Sequence, residues 1–170
     1  LDMDAKAPLG GIDTPLITDM EGLFRKSKRK NFDGIETWDT SNVVTMKNMF
    51  AGAESFNHDI SGWNVSNVRD MSNMFAGAGT FNRPLNGWDV SSVTDMSGMF
   101  DGATDFNQPL DRWDVSRVES MSNMFHCAFQ FNQPLARGDR LNARDVESRF
   151  CTPRAFTPRP GSTAVPTPAA

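Results

Sequence analysis

Residues 88 to 100 read WDVSSVTDMSGMF. Residues 63 to 75 read WNVSNVRDMSNMF, residues 113 to 125 read WDVSRVESMSNMF, and an earlier copy, WDTSNVVTMKNMF, begins at Trp38. The period is 25 residues, and segments 63–87 and 88–112 agree at 15 positions. Self-similarity at a period of roughly 20–50 residues marks a stacked repeat. The chain is therefore expected to be a row of like coils.

The preserved residues say what fills the stack. Trp38, Trp63, Trp88 and Trp113 keep the period, as do Phe50, Phe75, Phe100 and Phe125. Met46, Met71, Met96 and Met121 keep step with Met49, Met74, Met99 and Met124, and with Val43, Val68, Val93 and Val118. One copy holds too few large apolar side chains for a core of its own, so the copies must lie like upon like. Within a coil, a short strand is expected near Val93 to Met96. Met96, Met99, Phe100 and Ala103 fall at helical spacing and predict one or two helical turns, with Gly102 near their end. FNQPL is expected to be extended, because Pro109 keeps Gln108 out of the helical region. The fold class read from this is a short right-handed repeat solenoid of about five or six coils, each with a short parallel strand and a helical turn.

The copies obey W-[DN]-x-S-x-V-x-x-M-x-x-M-F-x-G-A-x-x-F-N-x-x-[LI] almost throughout residues 38 to 135. This pattern resembles the repeat of the BspA-type leucine-rich repeat surface proteins, a group that includes many bacterial lipoproteins. The resemblance implies a leucine-rich-repeat-like solenoid used for adhesion or protein contacts, without catalysis. It carries no catalytic residues onto this sequence.

The ends differ from the middle. Residues 1–37 read as an N-terminal segment and a degenerate capping coil, in which ITDMEGLF at 17 to 24 echoes TDMSGMF with a phase of 26. Residues 38–135 hold the four regular repeats, residues 136–151 a degenerate C-terminal cap around DVESRF, and residues 152–170 a Pro-rich tail. Such a tail cannot add a coil and is expected to be extended or disordered in isolation. Arg154, Phe156 and Arg159 are its candidate docking groups. The first residue is Leu rather than Met, so a processed or truncated start is expected.

Charge is unevenly spread. Residues 31 to 136 carry five Lys or Arg against 13 Asp or Glu, a local net of −8, within a chain whose net is −4. An acidic body repels phosphate-rich partners, which argues against nucleic acid. The basic run RKSKRK places Arg25, Lys26, Lys28, Arg29 and Lys30 together. It reads either as a solvated loop that blocks end-to-end stacking or as a docking patch for an acidic partner or an anionic membrane surface. No stretch approaches the roughly 18 apolar residues that span a bilayer.

Asn57, Asn82, Asn107 and Asn132 each follow a Phe and keep the period. Equivalent Asn side chains can bridge successive coils and satisfy backbone groups, and this structural ladder is favoured over a ligand-binding one. Cys127 and Cys151 are the only cysteines, and Cys151 is one period from His126. They are placed to bridge adjacent coils, or else remain two half-buried thiols. A bridge would imply an oxidising compartment.

Chemistry is sparse. His58 and His126 occupy different repeat positions, and neither stands at the spacing of a triad. His126 beside Cys127 suggests a nucleophile with nothing else to support it. Two Cys and two His without paired spacing do not suggest zinc. Asp89, Ser91, Asp95, Asp114 and Ser116 could offer oxygens to calcium, but turn capping accounts for them more simply. No catalytic residue, cofactor or metal is expected. The sequence reads as a non-catalytic protein–protein interaction module, an accessory or stabilising subunit of a larger assembly or, as the resemblance implies, a surface adhesin. The compartment follows the same fork: cell surface, or a membrane-associated or organellar complex after loss of a targeting segment.

Overall fold

Each copy of the repeat lays its backbone on the next by the same hydrogen bonds. In the computed structural model, which describes residues 7–133, the amide of Thr94 donates to the Arg69 carbonyl at 2.8 Å, one period back. The amides of Met96, Gly98, Phe100 and Gly102 donate forward, to Ser120, Ser122, Met124 and His126, at 2.7–2.9 Å. The copies at Val44 and Arg69 follow the same scheme, and the Glu119 amide repeats its backward bond, to Thr94. Parallel bridges Asp19–Thr45, Thr45–Asp70, Asp70–Asp95 and Asp95–Ser120 thread five levels. The first step spans 26 residues and the others 25, so ITDMEGLF lies under the first full copy despite its shifted phase.

Neither the strand nor the helical turn forms as expected. Only one residue per coil, Asp95 in the third copy, pairs as a parallel β-bridge, and the other inter-coil hydrogen bonds come from turns. The run from Met96 to Ala103 folds instead as overlapping four-residue turns, with Met99 donating to Met96, Asp101 to Gly98 and Ala103 to Phe100. Gly98 (φ 60°) and Gly102 (φ 67°) are left-handed, and Asn48, Asn73 and Asn123 take the same conformation in the other copies. A left-handed residue inside the run breaks helical geometry, and glycine and asparagine reach it at least cost. The alternate amides are thereby freed to join coil to coil. Among the described residues the one helical element is η1, a 3₁₀ turn at Ile35–Thr37.

The interior is built of columns. Phe24, Phe50, Phe75, Phe100 and Phe125 stack with centroids 5.5–5.7 Å apart and planes within 8°. A second column, Phe56, Phe81, Phe106 and Phe131, stacks at 5.5–6.0 Å. Within each coil the two columns meet at 3.7–4.1 Å. The 5.5–6.0 Å separations along each column are those of offset aromatic stacking, which adds to the burial itself, whereas between the columns the rings meet nearly face to face. The Met, Val and inner Phe positions are fully or nearly fully buried.

All four tryptophans are buried in equivalent surroundings. Each indole Nε1–H donates to a carbonyl of the coil before it: Trp38 to Leu9, Trp63 to Ile35, Trp88 to Ile60 and Trp113 to Leu85, at 2.9–3.2 Å. The Trp column thus fills space and ties neighbouring coils with the one polar atom it must satisfy.

The first coil closes the N-terminal face. Leu9, Met20, Phe32 and Ile35 are buried there. Gly34 (φ 92°) lies against the Gly10 backbone, where a Cβ would collide. The expected C-terminal cap at 136–151 and tail at 152–170 lie outside the described residues.

Candidate functional site

Three groups of side chains reach the surface in an ordered way. The first is a variable column on the bridge-bearing face: Val44, Arg69, Thr94 and Glu119, joined amide to carbonyl at 2.7–2.8 Å. Val44, Arg69 and Glu119 are exposed and Thr94 is half-buried. Apolar, cationic, hydroxylic and anionic side chains thus succeed one another on an otherwise repeated frame.

The second is the Asn ladder. The Oδ1 atoms of Asn57, Asn82 and Asn107 accept the amides of Asn82, Asn107 and Asn132 at 2.9–3.0 Å. Gln108 and Gln133 donate to the same Oδ1 atoms of Asn82 and Asn107. Each such oxygen is engaged by the chain itself, which is what a structural ladder requires.

The third is a corner cluster at the last described level. Asp101 Oδ1 lies 2.8 Å from His126 Nδ1, across adjacent coils. Cys127 Sγ lies 3.6 Å from Nδ1 and 3.7 Å from Nε2 of the same ring. All three residues are half-buried, and their ligand atoms fall within 4.8 Å of one another. Cys127 is disulfide-bonded. Its sulfur in that state is neither a nucleophile nor a metal ligand. Cys151, its expected partner, lies outside the described residues. Cys127 occupies the column of Gly52, Gly77 and Gly102, and retains their left-handed conformation at φ 55°. A side chain there costs on the order of 1–3 kcal/mol that glycine avoids.

The basic run does not behave as one patch. Arg29 is buried at 4% exposure, its guanidinium donating to the carbonyls of Asn31 and Ala7. It locks the first coil and is withdrawn from the candidate contacts. Burial with backbone acceptors is the reason: the sequence shows a charge, not the carbonyls folded around it. Lys28 pairs with Glu54 at 3.6 Å on the surface, and Lys26 takes the left-handed glycine position, at φ 55°. Arg25, Lys26 and Lys30 are exposed. Arg154, Phe156 and Arg159 lie outside the described residues.

The acidic side chains weighed for calcium are used locally. Asp95 accepts the Ser97 amide at 2.8 Å. Asp89 and Asp114, and with them Asp39 of the first copy, accept the amides of Ser91, Ser116 and Ser41 at 2.9–3.1 Å. The serine hydroxyl and amide hold each of these last three carboxyls below its ordinary range. Elsewhere, His58 Nε2 meets Glu36 Oε2 at 2.8 Å across coils. Glu36 is lowered chiefly by its own backbone amide and next by His58.

The family model described as "Mycoplasma protein of unknown function, DUF285" matches residues 2–93 and again residues 63–162. The chain belongs to this family. The overlap of the two DUF285 matches, over residues 63–93, falls within the regular copies, as expected where one model fits a periodic chain at more than one offset. No curated protein and no solved structure matches the chain. Among the described residues of this DUF285 member, no helix is long and apolar enough to cross a membrane.

Two features of this DUF285 chain escaped the sequence reading although signals for both were present. Asn48, Asn73, Gly98 and Asn123 form a 25-residue series of the residue types that tolerate left-handed backbone. Asp101 and His126 are separated by one period, so they had to face each other on neighbouring coils.

Proposed function

We propose that the chain is a non-catalytic protein-binding module, a leucine-rich-repeat-like solenoid of the BspA type. The observation that carries this reading is the division of labour between columns. Phe, Met, Val and Trp fill the interior in all four regular copies and leave their equivalents unchanged. Val44, Arg69, Thr94 and Glu119 change character at every level on a face whose backbone geometry repeats. A rigid frame carrying a variable row suits recognition of an extended partner surface, as repeat proteins use their regular faces. Membership of DUF285 agrees with the BspA-type motif, and the motif supports a surface repeat protein.

The accessory-subunit role expected from the tail rests on Arg154, Phe156 and Arg159. Display at the cell surface is the second reading, and the disulfide at Cys127 favours it, because such bonds persist in oxidising compartments. The test is native isolation under mild conditions with the intact chain and with an Arg69→Ala/Glu119→Ala variant. The reading predicts a co-isolated protein that the variant loses while its thermal unfolding is unchanged. Equal recovery with both chains would count against this face, and a chain that always migrates alone would count against the module.

A further inference from the structure

We propose that reduction of the Cys127 disulfide converts the Asp101–His126–Cys127 corner into a zinc site. Three observations converge on it. The carboxylate, imidazole and sulfur atoms lie within 4.8 Å of one another, with 2.8 Å from Asp101 Oδ1 to His126 Nδ1 and 3.6 Å from that nitrogen to Cys127 Sγ. A tetrahedral zinc with bonds of about 2.0–2.3 Å places its ligand atoms about 3.3–3.8 Å apart. The Nδ1–Sγ distance already meets this, the Asp101–His126 pair need only open by about half an ångström, and the carboxylate–sulfur pair, within 4.8 Å, has at most about 1.5 Å to close.

The repeat register points the same way. The column holding Ala51 and Ala76 turns to Asp101 and then His126 in the last two described coils. The neighbouring column, Gly52, Gly77 and Gly102, turns to Cys127 at the same corner. Cys127 keeps the left-handed backbone of those glycines, a conformation that a cysteine adopts only at a cost. Metal-ligating side chains thus replace small ones at three neighbouring positions, whereas the same two columns carry Arg25 and Lys26 at the first coil and Ala and Gly in the coils between.

The chemistry of the set selects the ion. Thiolate, imidazole and carboxylate together suit zinc, and three protein ligands leave the fourth position to water or to a ligand group. The reductant is a dithiol: two electrons enter the protein disulfide, its S–S bond breaks into two thiols, and the dithiol closes to its own disulfide. Zinc then takes the Cys127 sulfur as thiolate and stands in place of the proton shared by Asp101 and His126, releasing protons to solvent. The disulfide and the metal are mutually exclusive states of one corner.

The experiment uses the full chain, reduced with a dithiol, desalted without oxygen, and titrated with cobalt(II) and then zinc. The reduced chain is expected to bind one equivalent of cobalt with a thiolate-to-metal charge-transfer band, which zinc abolishes. The oxidised chain should give no such band. Asp101→Asn and His126→Ala should each weaken zinc by at least the roughly 10–100-fold that loss of an outer-shell partner costs. Cys127→Gly restores the residue of the other coils, so it should fold and yet show no band. Cys151→Ser leaves Cys127 no second cysteine in its own chain and should bind zinc without reduction. A band that survives Cys127→Gly, affinity indifferent to His126→Ala and Asp101→Asn, or failure of Cys151→Ser to bind would overturn the proposal.

Discussion

Phe100 lies fully buried between Phe75 and Phe125, with centroids 5.6 Å away on either side, and meets Phe106 of its own coil at 4.0 Å. Phe100→Ala is expected to cost about 3–5 kcal/mol, read as a fall in the urea midpoint at unchanged slope. A loss under about 1 kcal/mol would show that the column does not bear on its neighbours. Asn82 tests a different force. Its Oδ1 accepts from the Asn107 amide and from Gln108 Nε2, both at 3.0 Å. Asn82→Ala leaves those half-buried donors to water or to nothing, and about 1–2 kcal/mol should be lost in the same assay. Both residues were legible in the sequence, because a spacing of 25 survives any local detail. What a single residue does with its polar atoms was less legible. Arg29 read as a surface charge, and only the folded first coil brings the Ala7 and Asn31 carbonyls to it.

At the scale of one coil, spacing misled. Met96, Met99, Phe100 and Ala103 bury one face, as a helix would, but a chain of turns with left-handed members buries the same positions. Hydrophobic period reports which side chains face inward and is silent on which carbonyl each amide finds. The deciding signal was the Asn or Gly at 48, 73, 98 and 123, with Gly at 52, 77 and 102. Gly77→Ala tests it: at φ 68° the added Cβ meets only ordinary contacts, so the backbone alone is penalised, by about 1–2 kcal/mol in thermal or urea unfolding. A neutral result would mean that the turn tolerates a right-handed residue. The Asx turns at Asp39, Asp89 and Asp114 add a pH dependence. Each folded carboxyl is held below its ordinary value, so its contribution is complete above the unfolded pKa, near about pH 4. That contribution is lost as pH falls through the lowered folded values. Replacing all three by Asn should therefore flatten the decline in stability below about pH 4 while leaving neutral-pH folding intact. An unchanged acid limb would remove these turns from the account.

Over the whole molecule, a stack of like levels has no single centre that every residue must reach. Its stability is a sum of coils and of the interfaces between them. The aromatic columns, the five bridged levels and the four equivalent indole bonds all repeat at one period after the first step. That like residues lie over one another was legible, since it follows from self-similarity alone. The corner of Asp101, His126 and Cys127 was not, because its chemistry emerges where repeat positions depart from their own pattern on adjacent coils. The most direct measurement is urea unfolding of a chain from which residues 88–112 are excised in register. Trp113 would then follow residue 87 as Trp88 does now, with the Phe100 level removed whole. The stacked account predicts a shorter chain that still unfolds cooperatively, with a smaller urea dependence in keeping with the lost surface. A chain left unfolded by that excision, while one carrying only Phe100→Ala stays folded, would contradict it.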